Sequence, residues 1–388
     1  MPVPKGKAAW EALAVRALDA FMSSIGAAVW PEIESLLAEQ GWVHYNLDSD
    51  IPPNRNPDPI HLSIARSRLV ETGVLEESSA VLNGRPVSVW LDSRALASRG
   101  RKTQVIRLAS SKRRLYRRFL GWSGYNRLCG SVAEAIVAAT VESLRGTCIW
   151  ISPGTTAGDV KQLLGRPVEI GRSLDYAGHW ALSPDDPAAG VVPFAVEVKN
   201  TRSTVYPRDY EVWDLLAKIS TFPDVLPVLI ARRIHPITFR FLKDVGGLGT
   251  SMRRQWFSPR ISSSEFSEVV SKLSLADCRQ TTDPIEPFAP LTRFFSETVY
   301  TPSPSLLLEQ LTKWSRTAPF VRRYSDLRDD GLDPKTRRRL WFSFSQELEE
   351  EGLIERGGWG PRSLRGGSSK RAGLLLVSSG HSRSSGCS

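Results

Sequence analysis

A short apolar run, Pro193-Phe194-Ala195-Val196-Glu197-Val198-Lys199-Asn200, most constrains what this chain can fold into. It reads as a buried strand, yet it carries a carboxylate and an ammonium two residues apart. In a strand, residues i and i+2 project from one face. Val196 and Val198 therefore face one way into a core, and Glu197 and Lys199 face the other way together. Burying a charge costs several kcal/mol unless it is paired or binds a metal. A charged pair at the end of a core strand therefore calls for further parts elsewhere in the chain.

The 388 residues suffice for more than one domain, and 41% hydrophobic with 24% charged residues is an ordinary globular balance. No apolar run reaches the ~18 residues of a membrane span, and the N-terminal residues lack the apolar core of a secretory signal. Cys129, Cys148, Cys278 and Cys387 form no Cys-x-x-Cys pair, and the chain has only five histidines. A reduced, cytoplasmic setting is expected, with neither a disulfide framework nor a structural zinc site.

Charge says more about partners. The net charge is +10, and no acidic residue occurs between Asp92 and Glu134. That interval holds Arg94, Arg99, Arg101, Lys102, Arg107, Lys112, Arg113, Arg114, Arg117, Arg118 and Arg127, interleaved with Tyr116, Phe119, Trp122 and Tyr125. The plain reading is a solvated, arginine-rich linker. Unbalanced arginine among aromatics instead suits contact with phosphates of DNA, double-stranded by preference.

Along the chain, residues 8–24 carry a helical stripe (Trp10, Leu13, Ala17, Phe21), Pro31 opens a second helix ending at Gly41, and residues 60–72 form a third. Asn83-Gly84 between two strand-like runs is a hairpin signal. Three helices and a hairpin is the order of a winged helix-turn-helix, and residues 61–92 resemble its recognition helix and wing. That resemblance implies DNA contact by Arg66, Arg68 and Arg85; a winged helix used for protein contacts is the alternative. Residues 130–144 then read as an amphipathic helix with Glu134 near its start, 148–152 as a strand, 155–164 as a short helix and 173–184 as a strand with Asp175, Ala177 and His179 on one face. A helix is expected over 209–220 and a buried strand over 226–231, which gives an α/β layer. Residues 281–304, rich in Pro, Thr and Ser, read as a linker. Beyond it lie helices at 305–315 and from Asp333, an N-cap followed by Pro334.

Carboxylate-x-lysine is a common pattern. It occurs here as Asp159/Lys161, Glu197/Lys199 and Asp333/Lys335, and only Glu197/Lys199 falls in an apolar strand. Glu134, Asp175, Glu197 and Lys199, in the order helix, strand, strand, helix, strand, resemble the PD-(D/E)XK, or restriction-endonuclease-like, nuclease superfamily over about residues 129–240. The resemblance implies that Asp175 and Glu197 bind Mg2+ or Mn2+, that Glu134 completes the metal site, and that Lys199 positions the attacking water. Asp175 follows Leu174 instead of the proline often found there, and His179 stands where a small or apolar residue is usual. Asn200, Arg202, Arg208 and above all Lys218 are candidates for substrate phosphate. An ion pair at a sheet end with two unrelated acids is the plain alternative.

The expected architecture is thus multi-domain α/β. A winged-helix-like DNA-binding domain (1–98) leads through a basic connector (99–128) to a restriction-endonuclease-like domain (129–280). A linker (281–304), a smaller, mostly helical C-terminal domain with a winged-helix-like order (305–365) and a mostly disordered tail (366–388) complete it. The expected activity is metal-dependent DNA hydrolysis in restriction, defence or DNA processing. The rival is a non-catalytic DNA-binding regulator or assembly component on the same scaffold. A homodimer would suit cutting of both strands, and no residue shows one.

Overall fold

The computed structural model describes residues 6–40, 56–82, 85–123, 128–147, 149–150, 160–168, 173–183, 190–300 and 304–355. The chain is mixed α/β, and among the described residues no helix is long and apolar enough to cross a membrane.

Helix α1 (Lys7–Ile25) buries Leu13, Ala14, Ala17, Leu18, Phe21 and Met22, a stripe at helical spacing. Strand β1 (Ala27–Ala28) and helix α2 (Trp30–Glu34) follow, and α2 runs on as a π-helical turn to Glu39. Helix α3 (Pro59–Glu71) starts at Asp58, whose Oδ1 accepts from the Ile60 N–H at 3.0 Å. Strands β2 (Leu75–Leu82) and β3 (Arg85–Asp92) pair antiparallel, and β1 adds to the other side of β3. The two faces of β3 serve different cores. Trp90 joins the three helices, whereas Val89 and Leu91 face the helix that comes next.

Asp92 caps a short helix, α4 (Ser93–Ala97), and helix α5 (Arg99–Ser123) follows, 25 residues and about 37 Å long. Its buried positions, Val105, Ala109, Lys112, Leu115, Phe119 and Trp122, recur every three or four residues. Close approach at its start depends on Gly26: with φ at 81°, a side chain there would meet Val105 Cγ2 at 2.7 Å.

The second half of the chain builds a five-stranded sheet. Its elements are helix α6 (Gly130–Ser143), strands β4 (Ile149–Trp150), β5 (Gln162–Leu163), β6 (Arg166–Pro167), β7 (Tyr176–Ala181) and β8 (Val191–Lys199), helix α7 (Tyr210–Ile219), strand β9 (Leu226–Ala231), helix α8 (Pro236–Val245) and strand β10 (Leu248–Ser251). The order is β10-β9-β8-β7-β4, with β4, β7 and β8 antiparallel and β8, β9 and β10 parallel. Strand β11 (Trp256–Phe257), helix α9 (Ser263–Lys272), strand β12 (Cys278–Arg279) and helices α10 (Ala289–Tyr300), α11 (Pro304–Arg323) and α12 (Pro334–Glu350) complete the fold. Val192, Phe194, Val196 and Val198 of β8 pack with α6 and α10. The opposite face, with Ala195, Leu229 and Ala231, is covered by α7, α8, α11 and α12.

The expected basic connector is therefore a helix in a core. Phe119 and Trp122 of α5 meet Phe257 at ring-centroid distances of 5.6 and 6.2 Å, which ties the N-terminal unit to the sheet domain. The expected linker over 281–304 contains α10, because Leu291 and Phe295 supply the apolar contacts that its Pro, Thr and Ser content obscured. Helices α11 and α12 are not a separate unit. Trp314, Trp341, Phe344 and Leu348 share one core with α7. The expected helix over 155–164 is replaced, in its described part, by the β5/β6 hairpin. Asn83-Gly84, Asp159, Arg127 and the tail lie outside the described residues.

Candidate active site

Strand β8 ends in Glu197, Val198 and Lys199 beside the start of β7. The register pairs Tyr176 with Val196, so Asp175 sits opposite Glu197 just before β7 begins. The Asp175 N–H donates to the Val196 carbonyl at 3.2 Å, and its Oδ2 accepts from the Val198 N–H at 2.6 Å. Glu197 and Lys199 lie on the face of β8 covered by α7, and that helix brings Asp214 and Lys218, one turn apart.

These four residues form a closed ring of alternating charge. Lys199 Nζ is 2.6 Å from Glu197 Oε1 and 3.4 Å from Asp214 Oδ2, while Lys218 Nζ is 2.8 Å from Glu197 Oε2 and 2.9 Å from Asp214 Oδ2. The Lys218 side chain is 3% exposed and that of Lys199 17%, so Lys199 is the more open of the two cations. Pairing is what makes such burial tolerable. Burial works against the Lys199 ammonium, and the Glu197 carboxylate overcomes it and holds the charge firmly on. At Asp214 burial is likewise outweighed, by Lys218 and then Lys199, and the carboxyl stays below its ordinary range.

Glu134, on α6, and Asp175 stand outside the ring and have no ion pair among the described residues. Burial, then the charge of Glu197, pushes the Asp175 carboxyl up to about 7. The same two causes raise Glu134. Four carboxylates thus meet two ammoniums, an excess of two negative charges when all are ionised. No three carboxylate, imidazole or thiol groups among the described residues are arranged to enclose a metal ion. The donor chemistry nevertheless fits a hard divalent cation, since every uncompensated group is a carboxylate.

No family model, curated protein or solved structure matches this chain.

The structure brings Glu134, Asp175, Glu197 and Lys199 together, as the sequence order suggested. It corrects Lys218, expected to meet substrate phosphate: its ammonium is buried between two carboxylates. Asn200 is a clamp, its Nδ2 donating to the Cys129 and Trp256 carbonyls at 2.8 and 2.7 Å. Arg202 is held by Asp277. Asp214 was missed. The available signal was Asp and Lys at i, i+4 in a helix buried from Glu211 to Ile219.

The arginine and lysine candidates for DNA divide sharply. Lys112 is buried in an ion pair with Glu32 at 2.6 Å, which removes it from any phosphate surface. Arg66 lies over the Trp30 and Trp90 rings at 4.5 and 5.1 Å, and Arg68 pairs with Glu11. Arg101 donates to the Ser23 carbonyl at 2.9 Å, Arg113 to the Ser78 carbonyl at 3.0 Å, and Arg118 pairs with Glu268 at 3.1 Å. Lys102, Arg107 and Arg114 are exposed and Arg117 half-buried, with no hydrogen bond or ion pair among the described residues. The Arg85 side chain lies outside the described residues.

Proposed function

We propose that this protein is a cytoplasmic, metal-dependent DNA endonuclease that hydrolyses phosphodiester bonds. The observation that carries this reading is the meeting of Glu134, Asp175, Glu197 and Lys199 at one end of β7 and β8, with α6, β4, the β5/β6 hairpin, β7, β8, α7 and β9 following one another in chain order. That order supports the likeness to the PD-(D/E)XK superfamily. The three N-terminal helices and the β1-β3-β2 sheet support the winged-helix reading of the first domain.

Asp175 and Glu197 would hold Mg2+ or Mn2+, with Glu134 completing the set. A bound divalent ion supplies charge to a scissile phosphate and acidity to a water. Lys199, the open corner of the ring, would steady the hydroxide and the charge developing on phosphate oxygens. Glu197 and Asp214 keep that ammonium charged and pinned. Lys102, Arg107, Arg114 and Arg117 on α5 are cations that would be available to duplex phosphates.

A closed, neutral ion ring is also what a non-catalytic scaffold would keep, so the rival reading has its own support. Mg2+-dependent cleavage of plasmid and branched DNA separates the two. Wild type should cut, and E197Q and K199A should lose at least about a hundredfold in rate. Intact DNA binding without cutting of any DNA or RNA substrate would replace the nuclease by the binding component.

A further inference from the structure

Lys218 is the feature that the hydrolytic scheme does not use. Its ammonium lies on one oxygen of Glu197, and the more open Lys199 lies on the other. It cannot swing out to water, because α7 is buried on all sides and Val212, Leu215, Leu216 and Ile219 lock that helix against the sheet. Asp214, one turn earlier, holds the ammonium from behind at 2.9 Å. A purely structural pair needs one partner per charge, as Lys112 and Glu32 show. Here a second lysine is directed at the one carboxylate that already has its own, while Asp175 and Glu134 nearby have none among the described residues.

We propose that Lys218, pinned by Asp214, is an internal counter-cation of this site that competes with the divalent ion for Glu197 and sets how tightly the ion is taken. A divalent ion approaching Glu197 meets a fixed positive charge at 2.8 Å from one of its two oxygens. That charge lowers the attraction of the whole carboxylate group, and the buried helix prevents its relaxation. Lys218 is therefore a positioning residue with a sign opposite to that of a ligand: its removal tightens cation binding. This rests on the nuclease reading in one respect, that Glu197 takes a divalent ion.

The test is Mn2+ binding to the full-length protein, followed by the electron paramagnetic resonance signal of free Mn2+. K218M should bind at least about tenfold more tightly than wild type, and E197Q more weakly. K218M leaves Asp214 with Lys199, at 3.4 Å, and gives the ring a net negative charge; K218M/D214L removes both charges and keeps the net charge of the ring, and it too should bind more tightly than wild type. Wild type gives an independent reading by NMR, where the slowly exchanging ammonium signal of Lys218, assigned by its loss in K218R, should shift as Mg2+ is added. Variants that fold and bind Mn2+ no more tightly than wild type, while E197Q loses affinity, overturn the proposal and leave the nuclease reading standing. An ammonium signal unmoved at Mg2+ levels that saturate the site does the same. Equal binding by wild type and E197Q removes Glu197 as a ligand, and both readings fall together.

Discussion

Asp175 departs far from the ordinary behaviour of an acid, held at about 7 by burial and by Glu197 against a usual value of 3.8. Its folded value lies above its unfolded one. Its contribution to stability is therefore fully present below the unfolded value and is lost as pH rises through about 7. In chelator, the urea-unfolding free energy of wild type should fall between about pH 4 and about pH 7 by more than that of D175N, a difference of a few kcal/mol at most. Mg2+ should narrow that difference at the upper end, because it supplies the missing positive charge. At this scale much of the site could be read from the chain. The two-residue period of β8 places Glu197 and Lys199 on one face whatever else the fold does, and Asp175 leads the neighbouring strand. Lys218 was misread because a lysine late in a helix ordinarily reaches water. Only the packing of α7 on the sheet turns it inward.

Helix α5 shows how composition can mask an element. Its arginines suggested a basic connector facing phosphates, yet Val105, Ala109, Leu115, Phe119 and Trp122 trace a buried stripe, and Lys112 stands on that stripe with a partner on α2. Removing one member of that buried pair, as in K112A, should cost about 3–5 kcal/mol by chemical denaturation. K112M/E32L, which removes both charges and keeps apolar bulk, should cost much less. Cutting α5 out would dismantle a core and so cannot test its affinity for DNA. Charge reversal on its outer face can. R107E/R114E should lower the slope of log affinity against log salt by about 2 in fluorescence anisotropy, at unchanged stability. R113A, which loses bonds to Ser78 instead, should leave that slope nearly unchanged.

Across the whole molecule, the C-terminal helices are part of the sheet domain. Gly246, with φ at 89°, ends α8 where a side chain would meet the Gln310 carbonyl of α11 at 2.6 Å. Backbone against backbone leaves nothing to yield, so G246A should cost about 3 kcal/mol or more in thermal or urea unfolding. A chain stopped before α11 should fail to give a cooperative transition by circular dichroism, since Trp314 and Trp341 fill the core under α7. This integration was hidden in the sequence, because contacts between residues a hundred positions apart leave no local pattern. The same holds where the N-terminal unit meets the sheet. Arg232, directly after β9, binds Glu39 at 2.8 Å and Asp277 at 3.5 Å, and His235 meets Asp58 at the cap of α3 at 3.0 Å. If the protein cuts DNA as proposed, such docking would make it a ruler. A duplex gripped by the N-terminal unit and α5 would present one phosphate to Lys199, and cleavage would fall at a constant number of base pairs from the grip.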